Sequence, residues 1–177
     1  IYDMKWYDPP VQTIRNQIFR TNLNEVIKFL VDNIFLRITS KSNAYEIKLE
    51  TDPKLPVVPI NEFVVWEIIE PLIQNSIDHG GEKGIEINCK TRFDESTNKS
   101  FIIIEDNGKG IEQELLKVNE NRIKNVFIEN VTTKQSGLQN SGYGCYIAYE
   151  ISKRCGWDID AENLDKGGCR FTITIYN

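Results

Sequence analysis

The chain has 177 residues, 40% of them hydrophobic, which is one globular domain with enough length to bury a sizeable core. Its 21 basic and 26 acidic residues leave a net charge of -5, and no stripe of Lys or Arg gathers to meet a nucleic-acid backbone, so nucleic acid is excluded as an expected partner. Cys89, Cys145, Cys155 and Cys169 are scattered, with no C-x-x-C pair and a single histidine, His79, in the chain, so the composition points to reduced thiols rather than a zinc site or a disulfide framework.

In chain order, the opening IYDMKWYDPP has neither an initiator Met nor the layout of a signal peptide, which leads us to expect a piece of a longer protein. Residues 1 to 20 read as a linker or the tail of a preceding domain, and residues 21 to 177 as the domain itself. Thr21 or Asn22 caps a helix with Leu23, Val26, Ile27, Leu30 and Ile34 on one face. AYEIKLETD alternates as a strand, and PKLPVVPI carries too much proline for a helix. A second helix starts at Asn61 and runs through NEFVVWEIIEPLIQNSIDHG to the Gly80-Gly81 stop. KGIEINCKTRF and KSFIIIEDNG are two strands joined by DESTN. Residues 112 to 141 begin as a helix, EQELLKVNENRIKNVF, and end in the aperiodic TTKQSGLQNSG, a mobile loop. A helix over YGCYIAYEISKRCG and two strands, WDIDAEN and CRFTITIYN, close the chain. The expected fold class is α/β, a two-layer sandwich with a mixed, mostly antiparallel sheet backed by helices.

Three stretches carry chemistry. On the second helix, Asn75, Asp78 and His79 stand at i, i+3 and i+4 and so share a face away from the apolar stripe of Val64, Val65, Ile68, Ile69, Leu72 and Ile73. An amide oxygen suits Mg²⁺, which keeps several waters and is held by few protein atoms plus substrate phosphates. The same residues would also serve as the solvated end of a buried helix. Pro71 removes one helical hydrogen bond, at about 3 kcal/mol unless compensated, and predicts a kink just before Asn75. In FIIIEDNGKGI, a buried strand delivers Asp106 into a glycine turn; a carboxylate there can accept from an exocyclic amine, and the glycines let backbone pass close to a flat ring. D-N-G is also an ordinary hairpin turn. In NSGYGCYIAYEIS, Gly142 and Gly144 open a helix whose N–H groups can meet phosphate oxygens, although loop flexibility explains a lone G-x-G as well.

Taken together and in this order, these stretches, with VFIENVTTK between them and GGCRFTITIYN at the end, resemble the ATP-binding domain of the histidine kinase and GHKL superfamily over about residues 21 to 177. The resemblance implies the Bergerat fold, with ATP between sheet and helices under a flexible lid. It implies Asn75 as the Mg²⁺ ligand and a catalytic residue, and Asp106 as acceptor of the adenine amine above Gly108, Gly110 and Ile111. Thr132, Thr133 and the catalytic Lys134 would lie near the phosphates, with the backbone of Gly142, Tyr143, Gly144 and Cys145. Asp78 and His79 fall one turn beyond the Mg²⁺ ligand; the acidity of Asp78 suits a water or metal role better than a phosphate contact. The sequence departs from the family where Cys145 replaces the usual Leu after G-x-G, and where Arg170 precedes the Phe of the last box at a place often held by Thr.

Within the superfamily, gyrase-type ATPases keep a Glu four residues before the Mg²⁺ ligand to activate water. Here that position is Pro71, and Glu70 is rotated from it by about 100°. The stretch EPLIQNSIDHG is similar instead to the form found in some sensor kinases. The resemblance therefore implies a kinase catalytic domain that passes the γ-phosphoryl of ATP to a histidine outside this chain, on its own or a partner's dimerisation domain, with a response regulator downstream. A homodimer is expected only in the full-length protein, and the location as cytoplasmic, with a membrane anchor elsewhere left open. A GHKL-type ATPase with Glu67 or Glu70 as base, or a non-catalytic nucleotide-binding signalling module, remain as alternatives.

Overall fold

The computed structural model describes residues 11–34, 44–79, 83–128 and 143–177. The elements are α1 (Val11–Ile14), α2 (Leu23–Asn33), β1 (Tyr45–Glu50), α3 (Glu62–Asp78), β2 (Ile85–Asp94), β3 (Lys99–Asp106), α4 (Gln113–Leu116), α5 (Tyr143–Arg154), β4 (Asp158–Asn163) and β5 (Cys169–Tyr176). The strands form one sheet in the order β1-β2-β3-β5-β4. Only β1 and β2, which are joined across α3, pair in parallel; the other three pairings are antiparallel. The mixed two-layer α/β sandwich expected from the sequence is the observed one.

Caps and periodicity explain the helices. Asn22 Oδ1 accepts from the Glu25 N–H, and Asn61 Oδ1 accepts from the Phe63 N–H, so each asparagine satisfies a donor that the first turn leaves open. Helix α3 runs unbroken through Pro71. The missing hydrogen bond costs about 3 kcal/mol, but Ile68, Ile69, Leu72 and Ile73 around it are fully buried. At about 1.5–3 kcal/mol per buried aliphatic side chain, packing wins. The strands alternate: Cys169, Phe171, Ile173 and Ile175 of β5 point into the helical layer, while the residues between them face the open side of the sheet.

Two segments depart from the sequence reading. The long helix expected from residue 112 stops at Leu116, and Asn119 then ties a compact turn, its Oδ1 accepting from the N–H groups of Asn121 and Ile123. Arg122 takes a left-handed φ of 64° there, and a bridge joins Val118 to Lys124. Asparagine side chains offer the backbone this alternative to helix, which the apolar spacing alone conceals. The second segment is residues 13–21, expected as linker up to Arg20. Ile14 lies in the core, the Asn16 N–H donates to the Pro59 carbonyl at 3.0 Å, and Arg15 Nη2 donates to the carbonyl of Cys155 at the end of α5.

Candidate functional site

The ends of α3 and β3 and the start of β5 meet at one end of the sheet. Asp106, the last residue of β3, is 8% exposed and is held from three directions. Its Oδ1 accepts from the N–H of Gly108 at 3.0 Å and of Cys169 at 3.3 Å; its Oδ2 accepts from the Ser76 hydroxyl at 2.8 Å and the Cys169 thiol at 3.3 Å. Ser76 follows Asn75 on α3, so this hydrogen bond ties the last turns of α3 to the end of β3. Asn75 is half-buried, and no described side chain or backbone group hydrogen-bonds its amide.

The turn after Asp106 is fixed on both flanks. Asn107 Oδ1 accepts from the Glu86 N–H at 2.9 Å, while the Asn107 N–H donates to the Glu86 carbonyl at 3.2 Å. On the other side Asn163, at the end of β4, brackets Ile111: its Oδ1 accepts from the Ile111 N–H at 2.6 Å and its Nδ2 donates to the Ile111 carbonyl at 2.8 Å. Gly110 has φ +82°, and a Cβ on it would lie 2.8 Å from Asn163 Oδ1, so a glycine is required there on two counts. Gly108 packs beside Ile85 and the Asp106 carboxylate.

At the other wall, α5 starts against α3. A Cβ on Gly144 would lie 3.1 Å from the Pro71 Cβ, so Gly144 and Pro71 together set how closely the two helices approach. Cys145 is buried beside Cys169, and burial pushes its thiol up to about 12. Asp78 is half-buried, and burial pushes its carboxyl up, partly countered by His79. His79 is exposed and caps α3, its N–H donating to the Asn75 carbonyl at 3.1 Å. Thr132, Thr133, Lys134 and Gly142 lie outside the described residues, as do the Gly80-Gly81 stop and the side chain of Tyr143.

Position 170 needs a correction. Arg170 faces the open side of the sheet, where it pairs with Glu105 at 2.5 Å and Glu162 at 3.4 Å, and it takes no part in the Asp106 network. The strand alternation gives that place to Cys169, one residue earlier. Sequence reasoning also missed Ser76 and Asn163. Ser76 had a signal, a hydroxyl four residues after Leu72 on a stripe otherwise made of Ile and Leu; Asn163 at a strand end had none.

A half-buried amide, a fixed carboxylate and a glycine turn stand at the open end of this two-layer α/β domain. The family model described as histidine kinase-, DNA gyrase B- and HSP90-like ATPase matches residues 61–176, and the chain belongs to that family. Solved structures agree. The catalytic domain of histidine kinase ThkA, nucleotide free, superposes with a TM-score of 0.68 at 25% identity, covering 89% of this chain and 94% of that one. A histidine kinase domain from Erythrobacter litoralis gives 0.62 at 12% identity, over 99% and 68%. Full-length ShkA in complex with AMPPNP gives 0.67 at 14% identity, over 89% and 30%, and these two show the fold alone. No curated protein matches the chain. No described helix is long and apolar enough to cross a membrane.

Proposed function

We propose that this chain is the ATP-binding catalytic domain of a sensor histidine kinase, transferring the γ-phosphoryl of ATP to a histidine on a separate dimerisation domain, its own or a partner's, with a response regulator as the later acceptor. The observation that carries this reading is the Ser76–Asp106 hydrogen bond, which ties the turn of α3 that carries Asn75 to the end of β3. Asp106 accepts the adenine amine, Gly108, Gly110 and Ile111 pass under the ring, and Gly144 and the N–H groups opening α5 face the phosphates.

The amide of Asn75, without a hydrogen-bond partner among the described residues, fits a Mg²⁺ ligand, with Asp78 one turn on and suited to hold a metal-bound water. The ion, when bound, would neutralise charge on the phosphate oxygens. The residues of this chain position the nucleotide, with Lys134 in the proposed role of stabilising charge at the phosphates. His79 sits on the nucleotide helix as its C-cap, a poor place for a phosphoacceptor.

Helix α3 argues against a hydrolase. Glu70 is buried and accepts from the Trp66 indole and from Gln74 Nε2, on the face that meets Phe29 of α2. Glu67 lies eight residues before Asn75, about 12 Å along the helix axis. In the whole protein the domain is read as cytoplasmic, dimeric through the absent phosphoacceptor domain.

The chain, mixed with γ-labelled ATP, Mg²⁺ and the upstream helical domain, should place label on histidine. Rapid free phosphate without an acceptor would favour the ATPase, and neither product despite tight binding a signalling scaffold. Asn75→Ala and Asp106→Ala should each abolish Mg²⁺-dependent binding of a fluorescent ATP analogue; unchanged affinity in both sinks the assignment.

A further inference from the structure

The two outer strands, β4 and β1, end the sheet differently. At β4 the turn after α4 closes the edge: Lys124 Nζ donates to the carbonyl of Ala161 and pairs with Asp160 at 2.9 Å. Among the described residues, β1 has no such cover on its outer side. The Ile85 N–H donates to the Ala44 carbonyl at 3.1 Å, which sets the phase of the β1–β2 ladder. Along a strand, successive residues turn their N–H and C=O groups to opposite neighbours. Glu46, Lys48 and Glu50 therefore bond β2, while Tyr45, Ile47 and Leu49 turn their backbone groups outward. The register with β2 is continuous from Tyr45 to Glu50, with neither the bulge nor the proline that blunts many sheet edges. After Glu50 the chain bends back toward β2, where the Asp52 carboxylate accepts from the Phe93 N–H at 2.9 Å and the Asp52 N–H donates to the Thr91 hydroxyl at 2.9 Å.

We propose that this edge docks a second copy of the chain, with β1 pairing antiparallel to the partner's β1 about a twofold axis at Ile47. The charges of the strand select that register. With the axis at Ile47, Glu46 faces the partner's Lys48, twice by symmetry, while Tyr45 faces the partner's Leu49 and Ile47 faces its own copy. An axis at Lys48 would set lysine against lysine and Glu46 against the partner's Glu50; an axis at Glu46 would set glutamate against glutamate. Opposite charges directly across an antiparallel pair attract, and like charges repel. The same axis uses all three outward-facing residues, each pair exchanging both backbone hydrogen bonds. Tyr45, Ile47 and Leu49 lie half-buried at the rim of the core, and the partner's copies of them would cover what is left open. Such a contact is isologous and closes on itself as a dimer. It goes beyond the kinase reading, because it joins two catalytic domains directly into one continuous sheet.

Sedimentation velocity of the 177-residue chain tests this. Between about 5 μM and about 500 μM the wild type should pass from monomer to dimer, the weak affinity that an interface of one short strand per copy supports. Lys48→Glu sets two glutamates against each other on both sides of the axis and should raise the dissociation constant about tenfold. The charge reversal Glu46→Lys with Lys48→Glu should return it to within about threefold of wild type. Ile47→Pro removes an N–H that only the second copy uses, and an edge strand tolerates proline at such a place, so this variant should melt cooperatively and stay monomeric. A wild type that is monomeric throughout overturns the proposal. So does a dimer indifferent to Lys48→Glu and Ile47→Pro, or one that the charge reversal does not restore. Should Ile47→Pro fail to fold, Lys48→Glu and the reversal decide the matter alone.

Discussion

Gly167 and Gly168 lie side by side in the turn before β5, both with left-handed backbone, φ +101° and +87°. An alanine at either position carries the left-handed penalty of about 1–2 kcal/mol. Beyond that they diverge. A Cβ on Gly167 would meet nothing within 4 Å, whereas a Cβ on Gly168 would stand 1.8 Å from the Asp106 carbonyl oxygen and 2.9 Å from Asn107 Cα, both backbone atoms that cannot rotate away. Overpacking of that kind adds about 1–3 kcal/mol, because the start of β5 must move off β3. Gly167→Ala should thus cost about 1–2 kcal/mol and Gly168→Ala about 2–5 kcal/mol. Urea unfolding of both variants, with slopes compared to confirm the same transition, measures the difference. The same displacement carries the Cys169 N–H away from Asp106, so Gly168→Ala should also lose nucleotide affinity while Gly167→Ala keeps it. Equal destabilisation of the two, or full nucleotide affinity in Gly168→Ala, would refute the close approach on which the site is built.

Two further outcomes are expected. Burial alone would raise the Glu105 carboxyl, but hydrogen bonds and charge from Lys90 and Arg170 outweigh it and hold the group below its ordinary value of 4.5. A carboxylate depressed on folding contributes stability above its unfolded value and loses it as pH falls through the folded one. Glu105→Gln should therefore flatten the decline in unfolding free energy between about pH 5 and pH 3, and parallel curves for variant and wild type would count against the pairing. All four cysteines are buried free thiols, with Cys89, Cys145 and Cys155 pushed up to about 12 by burial and Cys169 higher still. A disulfide reagent at neutral pH should titrate no thiol rapidly in the native chain and all four in denaturant, since the thiolate is the reactive form. One fast equivalent in the native state would contradict the packing at the Cys145–Cys169 contact.

The elements that were legible from the sequence are those set by local rules. Asn22 and Asn61 cap where their position ahead of an apolar stripe says they should, and the runs KSFIIIED and CRFTITIY alternate or bury as strands of their lengths do. Local reasoning failed at residues 117–128 because apolar spacing there satisfied a helix, while Asn119 gave the backbone a competing set of hydrogen bonds. It also failed at position 170 by a single residue. In a strand with period two, one step of register moves a side chain to the opposite face, and Arg170 went to Glu105 while Cys169 went to Asp106.

The sequence by itself determined which residues stand on one helix face and which carboxylate ends a buried strand, because each follows from 3.6- or 2-residue periodicity over a few turns. Only the tertiary structure decided which distant residues meet at the end of β3. Ser76 reaches Asp106 across 30 residues, Asn163 brackets Ile111 across 52, and Cys169 closes on Asp106 across 63. Those contacts depend on the parallel pairing of β1 with β2 and the insertion of β5 beside β3, which no local pattern encodes. They form because burying one face of the sheet under α3 and α5 leaves few ways to arrange the chain, and the polar groups that meet at its open end are then hydrogen-bonded to one another.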